Sequence, residues 1–521
     1  MTQQQKRRLE QQLWSIANLL RGKMNADEYR NYILGFIFYK YLSERQEKYA
    51  NKLLKADKLT YNESLEPKEE YLEIIKKRSL EALGFFLRPK QLFLYLVKKG
   101  KGEIPGKDTF ILEDLKKVLN AIEQTAAGTD SEEDFSGLFS DVDLTSVKLG
   151  KSEKAKNEVI VDIFAHLQEI DFELENSHSD ILGDAYEYLI GQFAAGAGKK
   201  GGEFYTPAQI SRLIAKIVSS GKKRIRSAYD PTCGSGSLLL RLKDFVEVVD
   251  YYGQELNPTT YNLARMNMIL HGIHYRNFDI RHGDTLMDDK FGDQQFEVVV
   301  ANPPFSAKWK GDDDPTLTTD ERFSQYGRLA PKSYADYAFV THMLYHLADN
   351  GTMAVVLPHG VLFRGGAEKV IRQYIIEKQN YLDAIIGLPP NLFYGTSIPA
   401  TIAVFKKCRK NDGDILFIDA SREFEKGKNQ NYLTNENINK IFQTYTERKE
   451  IDKYSHRASL DEIRENDFNL NIPRYVDTFE EEEPIDISAV AQDLKQLQAE
   501  EKQIQRQISK FCKELNIETP F

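Results

Sequence analysis

Long apolar runs are missing from this chain. Across 521 residues there is no apolar stretch of the ~18 residues that a membrane helix needs. Cysteine is nearly absent as well. Cys233, Cys408 and Cys512 lie too far apart for the close pairs of a zinc cluster, so no metal site is expected from them. Three isolated thiols suit a reducing cytoplasm, where the chain is expected to reside. The N-terminus, MTQQQKRRLEQQLWSIANLL, has a basic start but neither a long apolar core nor a small-residue cleavage site. It reads as an amphipathic helix and not as a signal peptide.

An excess of positive charge is also lacking. Seventy basic residues face 79 acidic ones, for a net charge of −9. That speaks against a stand-alone DNA binder, whose affinity comes largely from neutralising phosphates. Local basic clusters remain, Lys222, Lys223, Arg224 and Arg226, and Lys406, Lys407, Arg409 and Lys410. Each is as readily solvated surface as a phosphate contact. A basic partner would reconcile an acidic chain with a nucleic-acid substrate.

What is present is ordinary globular material, 41% hydrophobic and 29% charged, long enough for two or three domains. Residues 1–170 carry helical periodicity. Leu9, Leu13, Ile16 and Leu20 recur on one face, and Tyr29, Ile33, Ile37 and Tyr41 repeat the pattern. Breaks fall near Lys55–Lys68, at Pro105-Gly106, and over Gly128–Asp134. This segment is expected to be a helical N-terminal domain.

The texture then changes. A helix over Asp184–Phe193 leads into the Gly/Lys-rich segment Ala194–Gly202. Strand-like runs follow at Ile225–Tyr229, Tyr251–Glu255, Phe278–Ile280, Phe296–Ala301, Met353–Leu357, Ala384–Ile386 and Thr401–Phe405. Helical patterns such as Pro258–His271 and Tyr334–Leu347 separate several of them. Such alternation predicts an α/β fold over 171–476, a doubly wound, mostly parallel sheet that binds ligands beyond the carboxyl ends of its strands. The segment Lys308–Pro331 reads as a long polar loop. After Pro484, Ile487, Val490, Leu494, Leu497, Ile504, Ile508, Phe511 and Leu515 keep steps of three and four, broken only at Glu501. A seam of that length predicts a C-terminal coiled-coil helix over 484–521.

Three places carry chemistry. The first is Asp230-Pro231-Thr232-Cys233-Gly234-Ser235-Gly236-Ser237, between a strand and the apolar helix start Leu238-Leu239-Leu240. Its glycines permit a sharp turn and close approach to a ligand, and the helix start offers free N–H groups. Glu255, 25 positions after Asp230, closes the second strand, where a carboxylate can accept from both hydroxyls of a ribose. Asp284 follows the third. A nucleoside-bearing cofactor fits, and the absence of a third glycine and of a phosphate-loop lysine disfavours a dinucleotide or ATP.

The second is Asn302-Pro303-Pro304-Phe305, at the end of the strongest strand. Pro303 holds Asn302 extended. An aryl amine is a poor nucleophile because its lone pair is delocalised into the ring. The Asn302 side-chain oxygen and the Pro303 carbonyl could each accept one of its N–H bonds and aim that lone pair at a methyl donor. Phe305 offers a face on which an extruded base can stack. The third is Gly201-Gly202-Glu203-Phe204-Tyr205-Thr206-Pro207, ahead of the helix Ala208–Val218. Here Thr206 suits a helix N-cap followed by proline at the first helical position.

Taken together, these residues resemble the amino-group DNA methyltransferases, and specifically the modification (M) subunit of type I restriction-modification systems. The resemblance covers nearly the whole chain. The family's FYTP-type segment matches Phe204–Pro207, its DPxxGSG loop Asp230–Gly236 and its NPPF motif Asn302–Phe305, with the cofactor motifs first, as in the γ subclass. It implies a class I S-adenosylmethionine-dependent methyltransferase fold. It also implies that Glu203, Phe204, Tyr205, Thr206, Pro207, Ala208, Ser235, Gly236, Ser237 and Glu255 contact the cofactor, with Asp230 and Asp284 beside them, and that Asn302, Pro303, Pro304 and Phe305 grip a flipped adenine. The expected substrate is double-stranded DNA. The expected partners are a sequence-specificity (S) subunit, two M to one S, and a restriction (R) subunit.

NPPF-type motifs also occur in cytosine-N4, RNA and protein amine methyltransferases, and these, like a non-catalytic scaffold, remain alternatives to adenine N6 methylation.

Overall fold

The computed structural model describes residues 11–12, 14–16, 20, 26–172, 181–196, 206–393, 398–410, 413–428, 430–478 and 487–521. Two compact units emerge, Met1–Val476 and Asp477–Phe521.

Eight strands of the first unit are numbered here: β1 Arg224–Asp230, β2 Glu247–Glu255, β3 Phe278–His282, β4 Phe296–Ala301, β5 Leu347–Pro358, β6 Leu382–Gly387, β7 Ala400–Lys406 and β8 Asp414–Asp419. With a ninth strand at Ser455–Ser459 they form one sheet, in the order Ser455–Ser459, β8, β6, β7, β5, β4, β1, β2, β3. Pairing is parallel from β3 through β5 and between β6 and β8. β7 runs antiparallel to both its neighbours, and the ninth strand is antiparallel to β8. The expected doubly wound, mostly parallel sheet is therefore present.

Period-two alternation in the strands divides the interior into two cores. Val298 and Val300 of β4, Ala354 and Val356 of β5, and Ala384 and Ile386 of β6 belong to one. Val299 and Ala301, Met353 and Val355, and Ile385 belong to the other. Stretches buried on both faces must be apolar, which is why Val-Val-Val-Ala of β4 reads as a run. The first core continues without interruption into the N-terminal helices, through Tyr29, Ile33, Ile37 and Tyr41 of the Ala26–Leu54 helix. Buried cross-links reinforce this junction. The Tyr41 hydroxyl donates to the Ile269 carbonyl at 2.8 Å, and Arg265 donates to the carbonyls of Glu133 and Ser136 at 2.6 and 2.9 Å. Leu9 and Leu13 lie outside the described residues.

The segment Lys308–Pro331 differs from the open polar loop its composition suggests. It folds into short helical turns at Gly311–Asp313, Pro315–Thr318 and Glu321–Ser324. Leu317, Phe323 and Tyr326 are buried in the second core, so scattered apolar side chains anchor a polar backbone.

The second unit is a helix, Ile487–Leu515. Val490, Leu494, Leu497, Ile504, Phe511 and Leu515 are exposed along it, an apolar stripe open to solvent among the described residues. None of the helices among the described residues is long and apolar enough to cross a membrane.

Candidate active site

Strand order places the site. β2 and β3 lie on one side of β1 and β4 on the other, so the loops after β1 and β4 leave the sheet at a switch point and open into the same crevice.

The loop after β1 turns on two left-handed glycines, Gly234 at φ 56° and Gly236 at φ 77°. A Cβ on Gly236 would also sit 3.1 Å from the Met268 methyl carbon, so no other residue fits there without strain. The helix that follows is a single turn, Ser237–Leu240, which weakens the expectation of a strong N-terminal field. Side chains hold the loop instead. The Gly234 N–H donates to Glu255 Oε2 at 3.0 Å, and Asn267 Nδ2 donates to the Ser235 carbonyl at 2.9 Å. Ser235 and Ser237 share a buried hydroxyl–hydroxyl bond at 2.9 Å.

Two carboxylates flank the crevice. Glu255 ends β2, and its other oxygen accepts from the Asn257 N–H at 2.8 Å. Asp230 ends β1, buried, and accepts from the Thr232 N–H at 2.9 Å. Burial pushes Asp230 up to about 8 and raises Glu255, and the negative charge of Glu255 adds to the rise at Asp230. Neither carboxylate has a lysine or arginine at ion-pair distance among the described residues. A buried acid and a partly buried one, neither with a lysine or arginine beside it among the described residues, fit a cofactor that itself carries positive charge. Asp284 accepts the N–H groups of Leu286 and Met287 at 3.0 and 3.3 Å, capping the turn after β3.

On the other wall, Asn302 leaves β4 and its Nδ2 donates to the Thr206 hydroxyl at 3.2 Å. Its Oδ1 is buried without a hydrogen-bond partner among the described residues. An orphaned buried acceptor costs ~1–3 kcal/mol, so this oxygen is set for a donor from outside the chain. Phe305 is half-buried and meets the buried Phe393 ring edge-on, with centroids 5.7 Å apart. Ser306 takes a left-handed φ of 53°, and its N–H donates to Asp336 Oδ1 at 2.8 Å. Arg364 Nη2 donates to the other Asp336 oxygen at 2.6 Å. Sequence reasoning missed Asp336. Its only signal is an acid inside the apolar start of a helix.

The structure corrects one local expectation. Thr206 does not cap the helix that follows. That helix runs Ala208–Ser219 with Pro207 in the N-cap position and no side-chain cap bond. The Thr206 hydroxyl is engaged by Asn302, which joins the third motif to the second. Glu203, Phe204 and Tyr205 lie outside the described residues, and Ala208 is exposed. Both basic clusters sit at the opposite edge. Lys222 pairs with Glu297 at 2.9 Å and Arg224 with Glu247 at 3.1 Å, at the start of β1. Lys406 ends the antiparallel β7, beside the early Thr352 of β5, and pairs with Asp383 at 3.0 Å.

A family model described as N-6 DNA Methylase matches residues 177–484, and one described as HsdM N-terminal domain matches 9–167. The chain belongs to the N-6 DNA methylase family. Within it, this methylase is 38% identical to the type I restriction enzyme MpnII methylase subunit of Mycoplasma pneumoniae, over 99% of this chain and 97% of that one. It is 31% identical to the MjaIX methylase subunit of Methanocaldococcus jannaschii, over 96% and 90%. The solved type I restriction-modification system methyltransferase subunit from Streptococcus thermophilus is 43% identical, with a TM-score of 0.82 over 91% of this chain and 100% of that one. The methylase thus belongs with the methylase subunits of type I systems, and S-adenosylmethionine is its methyl donor.

Proposed function

We propose that this methylase transfers the methyl group of S-adenosylmethionine to the N6 amine of adenine in double-stranded DNA, as the modification subunit of a cytoplasmic type I complex. The observation that carries this reading is the buried Asn302 Oδ1, without a partner among the described residues, across the crevice from the Asp230 and Glu255 carboxylates, which have no lysine or arginine beside them there. Residues 1–170 then serve as the helical N-terminal domain, 171–476 as the catalytic domain and 484–521 as the docking helix.

On this reading Thr206, Pro207, Ala208, Asp230, Ser235, Gly236, Ser237, Glu255 and Asp284, with Glu203, Phe204 and Tyr205 ahead of them, hold the cofactor, which supplies an electrophilic methyl. Glu255 uses its remaining lone pairs on the ribose hydroxyls while its backbone bonds keep the glycine loop in place. Asn302 Oδ1 and the Pro303 carbonyl accept the two N–H bonds of the adenine amine, which localises its lone pair. Pro304 stiffens the turn. Phe305, braced by Phe393, stacks on the extruded base. Preorganised acceptors of this kind are worth ~10²–10³ in rate each.

Sequence recognition comes from elsewhere. The chain is acidic, and Lys222, Arg224, Lys406 and Arg409 of its two basic clusters are paired with acids at the edge opposite the crevice. Few side chains are left to read base edges in the major groove. A specificity subunit, shared by two copies of this chain, supplies the address, and a restriction subunit completes the assembly. The exposed apolar stripe of the Ile487–Leu515 helix is the docking surface for the specificity subunit. The test is methyl incorporation into DNA with and without the cognate site, by the chain alone and by the reconstituted complex. Site-selective methylation is expected only from the complex; efficient selective methylation by the isolated chain refutes the subunit reading.

A further inference from the structure

Behind β1 lies a buried polar cluster that the motifs do not include. Asp289, His342 and His346 bring ligand-type atoms within 4.8 Å of one another, an arrangement that could hold a metal ion. Arg322 takes that role. Its guanidinium lies 3.8 Å from Asp289 Oδ2 and donates to His342 Nδ1 at 3.2 Å. Burial pushes His342 well below the usual imidazole range, so it is neutral and its Nδ1 is free to accept. Its Nε2 side then faces the Tyr229 hydroxyl at 3.0 Å. The cation of this cluster is the arginine.

The other bonds of Arg322 give the cluster a direction. Arg322 belongs to the segment that follows Asn302–Phe305, and it donates to the carbonyls of Thr285 and Leu286 at 2.8 and 3.1 Å. These are the residues directly after Asp284. Asp320, two positions before Arg322, holds the guanidinium at 2.6 Å. The Thr285 hydroxyl in turn donates to the Pro231 carbonyl at 2.5 Å, inside the glycine loop. A continuous chain of buried bonds therefore runs from the Lys308–Pro331 segment, through the turn after β3, to the loop after β1.

We propose that Arg322 is a positioning residue that couples cofactor occupancy to the order of the Lys308–Pro331 segment. This rests on the reading of the Asp230–Ser237 loop and Asp284 as the cofactor side of the crevice. When a ligand fixes that loop, the Thr285–Pro231 bond fixes the carbonyls of Thr285 and Leu286 with it. The arginine they hold then pins Glu321–Ser324, with Phe323 and Tyr326 packed beneath. Coupling is reciprocal, so whatever orders the segment from the DNA side tightens cofactor binding by the same factor. A guanidinium suits the task because its planar donors serve two carbonyls, a carboxylate and an imidazole together; a lysine ammonium in its place cannot reach all four.

The test is amide hydrogen exchange of the full chain with and without S-adenosylmethionine, for the unaltered protein, Arg322→Lys and Thr285→Val. Thr285→Val keeps the ion cluster and removes only the hydroxyl link to Pro231, so it answers even where Arg322→Lys does not fold. In the unaltered chain the cofactor should slow exchange about 10-fold or more over both 230–237 and 308–331. Each folded variant should keep the cofactor-dependent slowing at 230–237 and lose most of it at 308–331. A merely structural arginine would change baseline exchange without changing this cofactor-dependent difference. The proposal is overturned if the cofactor leaves 308–331 unprotected in the unaltered chain, or if both folded variants retain that protection. No slowing at 230–237 in the unaltered chain would instead refute the cofactor site itself.

Discussion

Removing the Asn302 side chain should separate stability from activity. Among the described residues Asn302 Oδ1 is buried without a partner, and Nδ2 makes one bond, to Thr206 at 3.2 Å. Asn302→Ala deletes the orphaned acceptor, whose burial costs ~1–3 kcal/mol, and forfeits a neutral hydrogen bond worth ~0.5–1.5 kcal/mol. The net effect on stability lies between a loss of about 0.5 kcal/mol and a gain of about 2.5 kcal/mol. Catalysis moves the other way. Losing one of the two acceptors aimed at the adenine amine should lower kcat by ~10²–10³, equivalent to about 2.7–4 kcal/mol of transition-state stabilisation. Cofactor affinity should change by less than about tenfold, because Asn302 bonds to none of the loop carboxylates and its one link to the cofactor side is a neutral hydrogen bond, to Thr206. The assays are chemical denaturation, calorimetric titration with S-adenosylmethionine and single-turnover methylation of cognate duplex by the assembled complex. A turnover within tenfold of the unaltered enzyme would refute the acceptor role. A stability loss above about 2 kcal/mol would show that Oδ1 is satisfied in the folded protein.

Glu255→Ala should act in the complementary way, weakening S-adenosylmethionine binding ~10–100-fold through loss of charge-assisted bonds worth ~1.5–3 kcal/mol, as read by calorimetry. Asp230 sets a pH dependence. Its folded value of about 8 lies above the unfolded ~3.9, so its stabilising effect is fully present below about pH 4 and is lost as pH rises through about 8. A cationic cofactor favours the carboxylate, so its affinity should climb with pH toward about 8 and then level, and Asp230→Asn should remove that part of the profile. Deleting the residues after Pro484 should leave cofactor binding in place and abolish co-purification with the specificity subunit; a truncated chain that still co-purifies stoichiometrically would exclude the docking role.

Much of the sheet was legible because its strands announce themselves. β1, β2 and β4 are bounded in sequence by Asp230, Glu255 and Asn302, each at the carboxyl end of an apolar run that both cores require. The C-terminal helix was equally legible, since a seam repeated over its length needs no partner to be read. Misreadings arose where a polar side chain had two possible local roles. Thr206 before Pro207 looks like a cap, and only the position of β4 reveals that Asn302 takes its hydroxyl. Lys308–Pro331 looks like a loop because its anchors, Leu317, Phe323 and Tyr326, are too widely spaced to make a periodic signal.

The sequence by itself determined the chemistry available, namely a glycine loop with flanking acids, a rigid Asn-Pro-Pro-Phe turn and the α/β alternation that carries them. These depend on short-range rules of side-chain periodicity and backbone freedom. Tertiary structure alone decided what each polar group meets. Among the described residues it left Asn302 Oδ1 without a partner and the Asp230 and Glu255 carboxylates without a lysine or arginine beside them, tied part of each basic cluster to acids at the far edge, and laced Arg322 to the turn after Asp284. Burial and pairing are relations between residues distant in the chain. Strand order, here the switch between β1 and β4, is what brings those residues together.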